Sequence, residues 1–224
     1  MGSLAVKSRS TGAFAAHLNW LEVERRIRGG AIAVLPIGAA CKEHGPHLPM
    51  NADLLQAEWL ATQLVTQANV VVWPTLSYGY YPAFVDYPGS ISLRLETARD
   101  LILDTCNSLA EFGLSRFYVL NTGLSTLRPL AEVRQSLDAA IRFGYLDLDV
   151  VLQTLPADLL QQQYGSHADE HETSLMLHIA PQVVDMTRAV DDGAEGEVVE
   201  LGGFLDLRGR EVVAVGVEDE CDVG

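Results

Sequence analysis

The sequence predicts an α/β fold in three layers, with a mainly parallel sheet covered by helices on both faces. Four short apolar runs are continuous rather than alternating, which indicates strands that are buried on both faces. Helical patterns separate these runs, and strands that alternate with helices are typical of parallel sheets. The chain has 224 residues, a length that favours a single domain over residues 1–224, with tails at 1–15 and 217–224 that we expect to fray.

Predicted strands and helices follow one another along the chain. The strand runs are Ala31–Pro36, Asn69–Pro74, Arg116–Asn121 and Asp149–Thr154. A helix is predicted at Asn19–Arg28, ahead of two glycines, and Asp53 is interpreted as the N-cap of the next helix. Later stripes with helical spacing run from Ala98 to Phe112, from Leu127 to Ala140 and from Thr173 to Ala180. A late strand is predicted at Glu211–Gly216.

Composition argues against several classes of protein. The 15 Lys and Arg residues against 30 Asp and Glu leave a net charge of −15, whereas a nucleic-acid surface needs clustered cations. No apolar stretch approaches the ~18 residues of a membrane-spanning helix. The three cysteines lie far apart and the first residues lack the apolar core of a secretory signal, so we expect a cytoplasmic location. Neither a Gly-x-Ser-x-Gly elbow nor a phosphate-binding glycine loop follows a predicted strand.

The loop after the first predicted strand concentrates groups that bind divalent metal ions. Ligands of open α/β sheets bind beyond the carboxyl ends of the strands, where this loop lies. The loop carries Glu43, His44, His47 and Asp53, and imidazole nitrogen and carboxylate oxygen are the ligands of Zn²⁺ or Mn²⁺ in hydrolytic sites. The other interpretation is that Asp53 caps its helix while the two histidines form hydrogen bonds within a tight loop. The residue types alone leave both interpretations open.

Three later loops at the same edge of the sheet add candidate residues. The loop with Tyr78, Tyr80 and Tyr81 is suited to the wall of a ligand pocket, or to a surface loop packed by its own rings. The loop Asn121–Thr126 would either direct backbone N–H groups at an oxyanion or form a plain turn into a helix. The segment His167–Glu172 holds five ionisable residues, and a helix N-terminus explains its carboxylates but not its two histidines.

The order and spacing of these motifs resemble the creatininase (creatinine amidohydrolase) family. The resemblance rests on Pro36–Gly38, Glu43–Pro49, Asp53, Pro88–Ser90 and His167–Ser174, which fall in the family's order and span roughly residues 30–180. It implies one three-layer α/β/α domain, one or two divalent ions (Zn²⁺ or Mn²⁺), and hydrolysis of a C–N bond other than a peptide bond. It also implies an assembly of identical chains, often a hexamer.

The resemblance assigns roles to individual residues by position. His44 and Asp53 would be metal ligands, Asp53 being the one able to bridge two ions. Glu43 would take the place of the family's glutamate ligand. His167 and Glu172 would be the catalytic residues. His167 would carry a proton, and Glu172 would lie at the edge of the metal as a ligand or a hydrogen-bond acceptor.

Two departures from the family pattern concern the metal site. The family has a glutamate two residues before the histidine of its first motif, where this chain has Lys42. The family's Asn-Gly-His motif reads Asn-Thr-Gly at residues 121–123, so one imidazole is missing. Either His47, His167 or Glu170 replaces it, or the protein holds one ion or none.

The sequence therefore predicts a metal-dependent amidohydrolase that acts on a small cyclic amide. A bound ion lowers the pKa of its water to about 7, so metal-bound hydroxide is the expected nucleophile, and His167 would protonate the leaving nitrogen. The predicted substrate pocket consists of Tyr78, Tyr80, Tyr81, Asn121 and Gly123. Two alternatives stay open: a family member without catalysis that acts as a binding or scaffold protein, and a hydrolase with one ion that deformylates an acyclic formamide.

Overall fold

The structure, a computed structural model, describes residues 12–152, 154 and 167–190, together with the backbone of two strands at 198–205 and 211–217. The internal contacts divide the chain into two units, residues 1–189 and residues 190–224. The prediction of a single domain over residues 1–224 stays a prediction.

A five-stranded sheet forms the centre of the first unit. Its strands are β1 (Ala13–Phe14), β2 (Ile32–Ile37), β3 (Val70–Val72), β4 (Arg116–Asn121) and β5 (Arg142–Tyr145), in the order β1-β3-β2-β4-β5. Neighbouring strands are parallel throughout, so the predicted type of sheet is confirmed. β2 lies in the middle, with Val34 paired to Val72 on one side and to Tyr118 on the other.

Helices cover both faces of this sheet and complete the predicted three layers. They are α1 (Trp20–Arg28), α2 (Ala52–Gln67), α3 (Leu95–Ala110), α4 (Leu127–Ser136), α5 (Leu148–Leu152) and α6 (Glu170–Ile179). None of these described helices is long and apolar enough to cross a membrane. On one face Leu35 packs with Ile102 of α3 and Leu130 of α4, and on the other Val34 packs with Ala61 of α2. Successive residues of β2 therefore bury opposite faces, which is why the strand is continuously apolar.

Two helix starts show how local sequence sets the boundaries. The Asn19 side chain accepts the Glu22 N–H at 3.1 Å, and the Glu22 carboxylate accepts the Asn19 N–H, which together begin α1. α2 begins at Ala52 with Asn51 at the cap position, so the interpretation of Asp53 as its N-cap is wrong. Asp53 lies in the first turn instead, and its carboxylate contacts the Lys42 and His44 side chains of the preceding loop.

The strand predicted at Asp149–Thr154 is wrong, because α5 covers residues 148–152. Val150 and Val151 are each 42% exposed, so this apolar run is not a strand buried on both faces. The sheet ends on β5, where Phe143 is buried and packs with Phe117 of β4.

The ends of three predicted elements also need correction. The tail predicted to fray at residues 1–15 contributes β1, which pairs with β3, while residues 1–11 lie outside the described part. The helix predicted up to Ala140 ends at Ser136, which leaves chain for β5. The tail predicted at residues 217–224 is wrong at its first residue, because Val217 belongs to the last strand. Residues 218–224 lie outside the described part.

The second unit contains two antiparallel strands, β6 (Val198–Leu205) and β7 (Glu211–Val217). The late strand predicted at Glu211–Gly216 is therefore confirmed. The pairing of these strands shifts register between Leu201 and Phe204. The candidate site lies wholly in the first unit.

Candidate metal centre

The candidate residues meet at the carboxyl ends of the central strands. The loop after β2 carries Glu43 and His44 and leads into α2, whose first turn holds Asp53. A segment far along the chain brings His167 to the same place and leads into α6, whose first turn holds Glu172. Strand ends of this kind are where ligands of open α/β sheets bind.

Small residues and a neighbouring turn hold the loop against the sheet. A Cβ atom at Gly38 would overlap the Asp53 carbonyl, so a larger residue would push α2 away from the end of β2. The Thr122 hydroxyl hydrogen-bonds the same carbonyl at 2.9 Å. The Ser90 hydroxyl accepts the Glu43 N–H at 3.0 Å, which ties the Pro-Gly-Ser turn to the loop. These contacts fix the backbone that carries the candidate side chains.

Asp53 forms a buried charged cluster with Lys42 and His44. Its side chain is 1% exposed; Oδ2 lies 2.8 Å from Lys42 Nζ, and Oδ1 lies 3.0 Å from His44 Nε2. Burial by itself would raise the pKa of Asp53, but the Lys42 ammonium opposes burial and holds this pKa well below its usual range. Asp53 is therefore a carboxylate at neutral pH.

In its neutral form, His44 presents a nitrogen lone pair to this carboxylate. Its Nδ1 lies 2.8 Å from the Lys42 carbonyl oxygen, an acceptor, so Nδ1 carries the proton of the neutral ring and Nε2 carries the lone pair. His44 Nε2 and Asp53 Oδ1 are both buried and lie 3.0 Å apart, and neither has another hydrogen-bond partner among the described residues. Two facing acceptor atoms in a buried site are unfavourable unless a proton or a metal cation lies between them. A divalent ion fits these atoms, because imidazole and carboxylate are its ordinary ligands.

His167 pairs with Glu43 on the accessible side of the site. His167 Nε2 lies 2.8 Å from Glu43 Oε2, and the other Glu43 oxygen accepts the Gly45 N–H. Burial would raise the pKa of Glu43, but the hydrogen bond and charge of His167 hold it below its usual value. The side chains of His167 and Glu43 are 27% and 20% exposed, whereas those of His44 and Asp53 are almost fully buried.

Glu172 joins the cluster from the first turn of α6. Its Oε2 accepts the Ala168 N–H at 2.6 Å and lies 3.8 Å from His167 Nδ1. Ala168 has a left-handed φ of 49°, a strained conformation of the kind that clusters at functional sites. Ligand atoms of His44, His167 and Glu172 all lie within 4.8 Å of one another, a spacing that suits the surroundings of one cation.

The loop after β4 leaves space beside the cluster. The Asn121 side chain donates to the Gly123 carbonyl at 2.8 Å and accepts the Thr126 hydroxyl, so its polar atoms bond within the loop. A Cβ atom added at Gly123 would lie 3.8 Å from Asp53 Oδ2, so the missing side chain leaves room beside that oxygen. The role of Asn121 and Gly123 in the substrate pocket stays a prediction.

Of the three tyrosines predicted to form the pocket, Tyr81 lies next to the cluster. It is buried, its hydroxyl has no hydrogen-bond partner among the described residues, and burial together with the Asp53 charge raises its pKa. Lys42 Nζ lies 5.7 Å from the centre of its ring. Tyr78 is exposed and lines a separate apolar cavity, and Tyr80 is half-buried. The pocket role of these two tyrosines stays a prediction.

Two neighbours of the site are not among the residues predicted from sequence to form it. The Phe84 ring centre lies 4.5 Å from that of His167 and 4.8 Å from Lys42 Nζ, and its place in the aromatic loop is the one signal that points to it. The sequence signal that points to Lys42 is its difference from the family pattern, which has a glutamate at this position. His47, a candidate substitute ligand, instead lies 2.8 Å from the Thr173 hydroxyl.

Comparison with known proteins identifies the family of this chain. The family model named creatininase, described as creatinine amidohydrolase, matches residues 16–217. The chain belongs to the creatininase family. It is 30% identical over 206 residues to the creatinine amidohydrolase of Pseudomonas putida, across 81% of this chain and 77% of that protein.

Solved creatininase structures share the fold. A structure described as the manganese form of creatininase gives a TM-score of 0.66 at 28% identity, over 80% of this chain and 77% of that one. A mutant creatininase of Zn-Zn type gives a TM-score of 0.65 at 28% identity, over 80% of this chain and 76% of that one. This chain is therefore a creatininase-family hydrolase with the three-layer α/β/α fold.

Proposed function

We propose that this hydrolase cleaves a C–N bond other than a peptide bond in a small cyclic amide, with Zn²⁺ or Mn²⁺ as its metal. The observation that supports the proposal most is the buried pair of His44 Nε2 and Asp53 Oδ1, which lie 3.0 Å apart and have no other hydrogen-bond partner among the described residues. An accessible histidine, His167, lies beside this pair. Hydrolysis of an amide benefits from a cation and a proton carrier together, and the cluster offers a position for each.

His44, Asp53 and Glu172 would hold the ion. His44 Nε2 and Asp53 Oδ1 face each other, and a Glu172 oxygen lies within 4.8 Å of the His44 ligand atom. When bound, such an ion supplies Lewis acidity and makes a coordinated water acidic. The Lys42 carbonyl fixes the His44 ring, so Nε2 is oriented before any ion binds.

His167 would hold and move the proton, with Glu43 as its positioning residue. Because the Glu43 carboxylate is an acceptor, His167 donates Nε2–H to it at 2.8 Å, and Nδ1 is left to exchange a proton at the cluster. The carboxylate also stabilises the imidazolium that forms when Nδ1 takes up a proton, which Nδ1 then gives to the leaving nitrogen. This role differs from the prediction of Glu43 as a metal ligand, and it is favoured because both Glu43 oxygens already have partners.

The substrate would enter from the side of His167 and Phe84. His44 and Asp53 are buried, whereas the His167 side chain is partly exposed. The Phe84 ring packs on the imidazole, and the buried Tyr81 ring adjoins the same cluster. Aromatic walls around a few polar groups suit a small planar amide.

Metal content and amide hydrolysis test the proposal together. Metal is counted by inductively coupled plasma mass spectrometry, and creatinine hydrolysis is followed before EDTA treatment, after it, and after reloading with Mn²⁺ or Zn²⁺. We expect activity that disappears and returns with the metal. The variant His44→Ala should lose the metal, whereas His17→Ala, which removes an exposed histidine, should retain it. Full activity of metal-free protein, or unchanged metal in His44→Ala, would contradict the proposal.

A panel of amides separates this proposal from its two alternatives. A formamide deformylase would release formate from acyclic formamides and leave creatinine and other cyclic amides intact. A binding protein would hold metal and amide in calorimetric titrations without turning any amide over. The observation that favours this second alternative is the lysine at position 42, where the resemblance expects a glutamate.

The proposal includes a homo-oligomer, for which the family resemblance indicates a hexamer. Light scattering after gel filtration measures the mass in solution, and a monomer of 24.3 kDa would contradict this part. The cytoplasmic location expected from the cysteines belongs to the same proposal, and Cys41 and Cys106 are free thiols in the described part.

A further inference from the structure

The two carboxylate oxygens of Asp53 face different chemical groups. Oδ1 meets the His44 imidazole at 3.0 Å, and the rings of His44 and His167 lie 5.2 Å apart on that side. Oδ2 meets the Lys42 ammonium at 2.8 Å, and a Cβ atom at Gly123 would lie 3.8 Å away. Candidate metal ligands thus gather near Oδ1, whereas Oδ2 faces a positive charge that belongs to the chain itself.

Lys42 is held as a buried cation. It is 5% exposed, although lysine is almost always found at protein surfaces. Its ammonium contacts Asp53 and lies 4.8 Å from the Phe84 ring centre and 5.7 Å from that of Tyr81. A carboxylate and aromatic faces are the surroundings that stabilise a cation away from water.

Both departures from the family pattern fall on the Oδ2 side. Lys42 stands where the resemblance expects a glutamate, and Gly123 stands where it expects the histidine of the Asn-Gly-His motif. One solved creatininase is of Zn-Zn type, so the fold accommodates two zinc ions in that relative. In this chain, two ligand side chains are absent from one side of Asp53 and a positive charge is present there.

We propose that the Lys42 ammonium takes the place of one of two cations, so that this chain holds a single divalent ion, on the Oδ1 side of Asp53. The position of that single ion, beside His44 and Asp53 Oδ1, rests on the proposed function. The replacement at Oδ2 rests on the separate observation that Lys42 pairs with Asp53 at 2.8 Å inside the protein.

The charge of Lys42 and the small number of ligand side chains among the described residues both oppose a second ion. A divalent ion bound to Oδ2 at about 2.1 Å would lie at most about 5 Å from Lys42 Nζ, where like charges repel strongly in a buried site. Among the described residues, the grouped candidate ligands are those of His44, His167 and Glu172, and His44 faces Oδ1. An ion at Oδ2 would thus meet repulsion, and no grouped imidazole or second carboxylate of the described residues would offset it.

Metal stoichiometry tests the proposal without any measurement of activity. Purified protein is saturated with Mn²⁺, freed of excess by gel filtration, and analysed for metal per chain. We expect one ion for the unaltered protein and two for the double variant Lys42→Glu/Gly123→His, which restores both family ligands. Arg28→Glu makes the same charge change at an exposed residue that precedes the amino end of β2, and it should bind one ion.

The possible counts separate this proposal from the proposed function. Two ions in the unaltered protein would overturn the role of Lys42 and leave a metal-dependent hydrolase intact. No ion in the unaltered protein but one in the double variant would overturn the proposed metal site and support the role of Lys42. A folded double variant that binds no more metal than the unaltered protein would overturn the role of Lys42.

A measurement on the unaltered protein keeps the proposal testable if the double variant does not fold. Crystals soaked in Mn²⁺ are measured at the manganese absorption edge. We expect an anomalous peak beside His44 and Asp53 Oδ1, and the Lys42 side chain in contact with Oδ2. An anomalous peak bound to Oδ2, or a Lys42 side chain displaced into solvent, would overturn the proposal.

Discussion

Replacing Glu43 with glutamine tests whether this carboxylate sets the protonation of His167. One Glu43 oxygen accepts the Gly45 N–H, and the other accepts Nε2–H of His167 at 2.8 Å. In Glu43→Gln the amide oxygen would keep the bond from Gly45, so the amide NH₂ group would face His167. Two donors cannot form a hydrogen bond, so the His167 proton should move from Nε2 to Nδ1, the atom that has to exchange it.

The size of the effect follows from how exposed this pair is. A histidine held in the wrong tautomer costs about 10⁴ in rate when its carboxylate partner is buried, as in the serine-protease triad. The side chains of His167 and Glu43 are 27% and 20% exposed, so water relieves part of this cost. We expect turnover to fall about 10² to 10³-fold, which corresponds to about 2.7 to 4 kcal/mol of activation free energy. Metal content should stay unchanged, because Glu43 is not a ligand in this arrangement.

Long-range ¹H–¹⁵N NMR of the imidazole rings reads the tautomer without knowledge of the substrate. The His167 signals are assigned by their loss in His167→Ala, and creatinine hydrolysis gives the rate. The matched control is Glu58→Gln, the same change at an exposed residue of α2, which should alter neither tautomer nor rate. The reasoning is refuted if Glu43→Gln keeps the proton on Nε2, or if it loses the metal, because Glu43 would then be a ligand.

Three further predictions concern stability. Leu130→Ala, at a fully buried position of α4, should lower the free energy of unfolding by about 2–5 kcal/mol in urea titrations, against little change for the exposed Leu21→Ala. Because the folded-state pKa of Asp53 is depressed, the metal-free protein should lose stability as the pH falls below about 4, and a stability that rises on acidification would contradict this. Gly38→Ala should melt at a lower temperature and bind Mn²⁺ more weakly in calorimetry, because its Cβ atom would overlap the Asp53 carbonyl; an unchanged variant would contradict this close approach.

The central strands are predictable from sequence, whereas the edge strands are not. β2 and β3 are covered on both faces, so their residues are continuously apolar and the pattern alone reveals them. β1 has only two residues, too few to show a pattern, and β5 (Arg142–Tyr145) contains an arginine and a glycine and is not continuously apolar. Val150 and Val151 belong to a continuous apolar run too, but they lie partly exposed on a short helix. Only the tertiary packing distinguishes this helix from a buried strand.

The location of the site is predictable from sequence, but the pairing of its side chains is not. The rule for open α/β sheets places the loops of His44 and His167 at one edge, and the structure brings both rings together there. Glu43 and His167 are separated by 124 positions, and nothing in their local patterns states that they pair. Side-chain directions in an irregular loop depend on φ and ψ values such as the +68° of Gly45, which no periodicity encodes.

Lys42 and Gly123 are best understood as linked changes around one buried carboxylate. If only the histidine were absent, an ion at Asp53 Oδ2 would lack a ligand. If only the lysine were present, its ammonium would compete at Oδ2 with an ion that the histidine still held. Together they exchange a metal ion for a cation that is covalently part of the chain, and a buried carboxylate needs such a charge. The first turn of α2 should therefore keep its amide hydrogen-exchange protection when metal is removed, while the segment at His167 loses protection. Equal loss at both segments would show that Lys42 does not stabilise Asp53 without an ion.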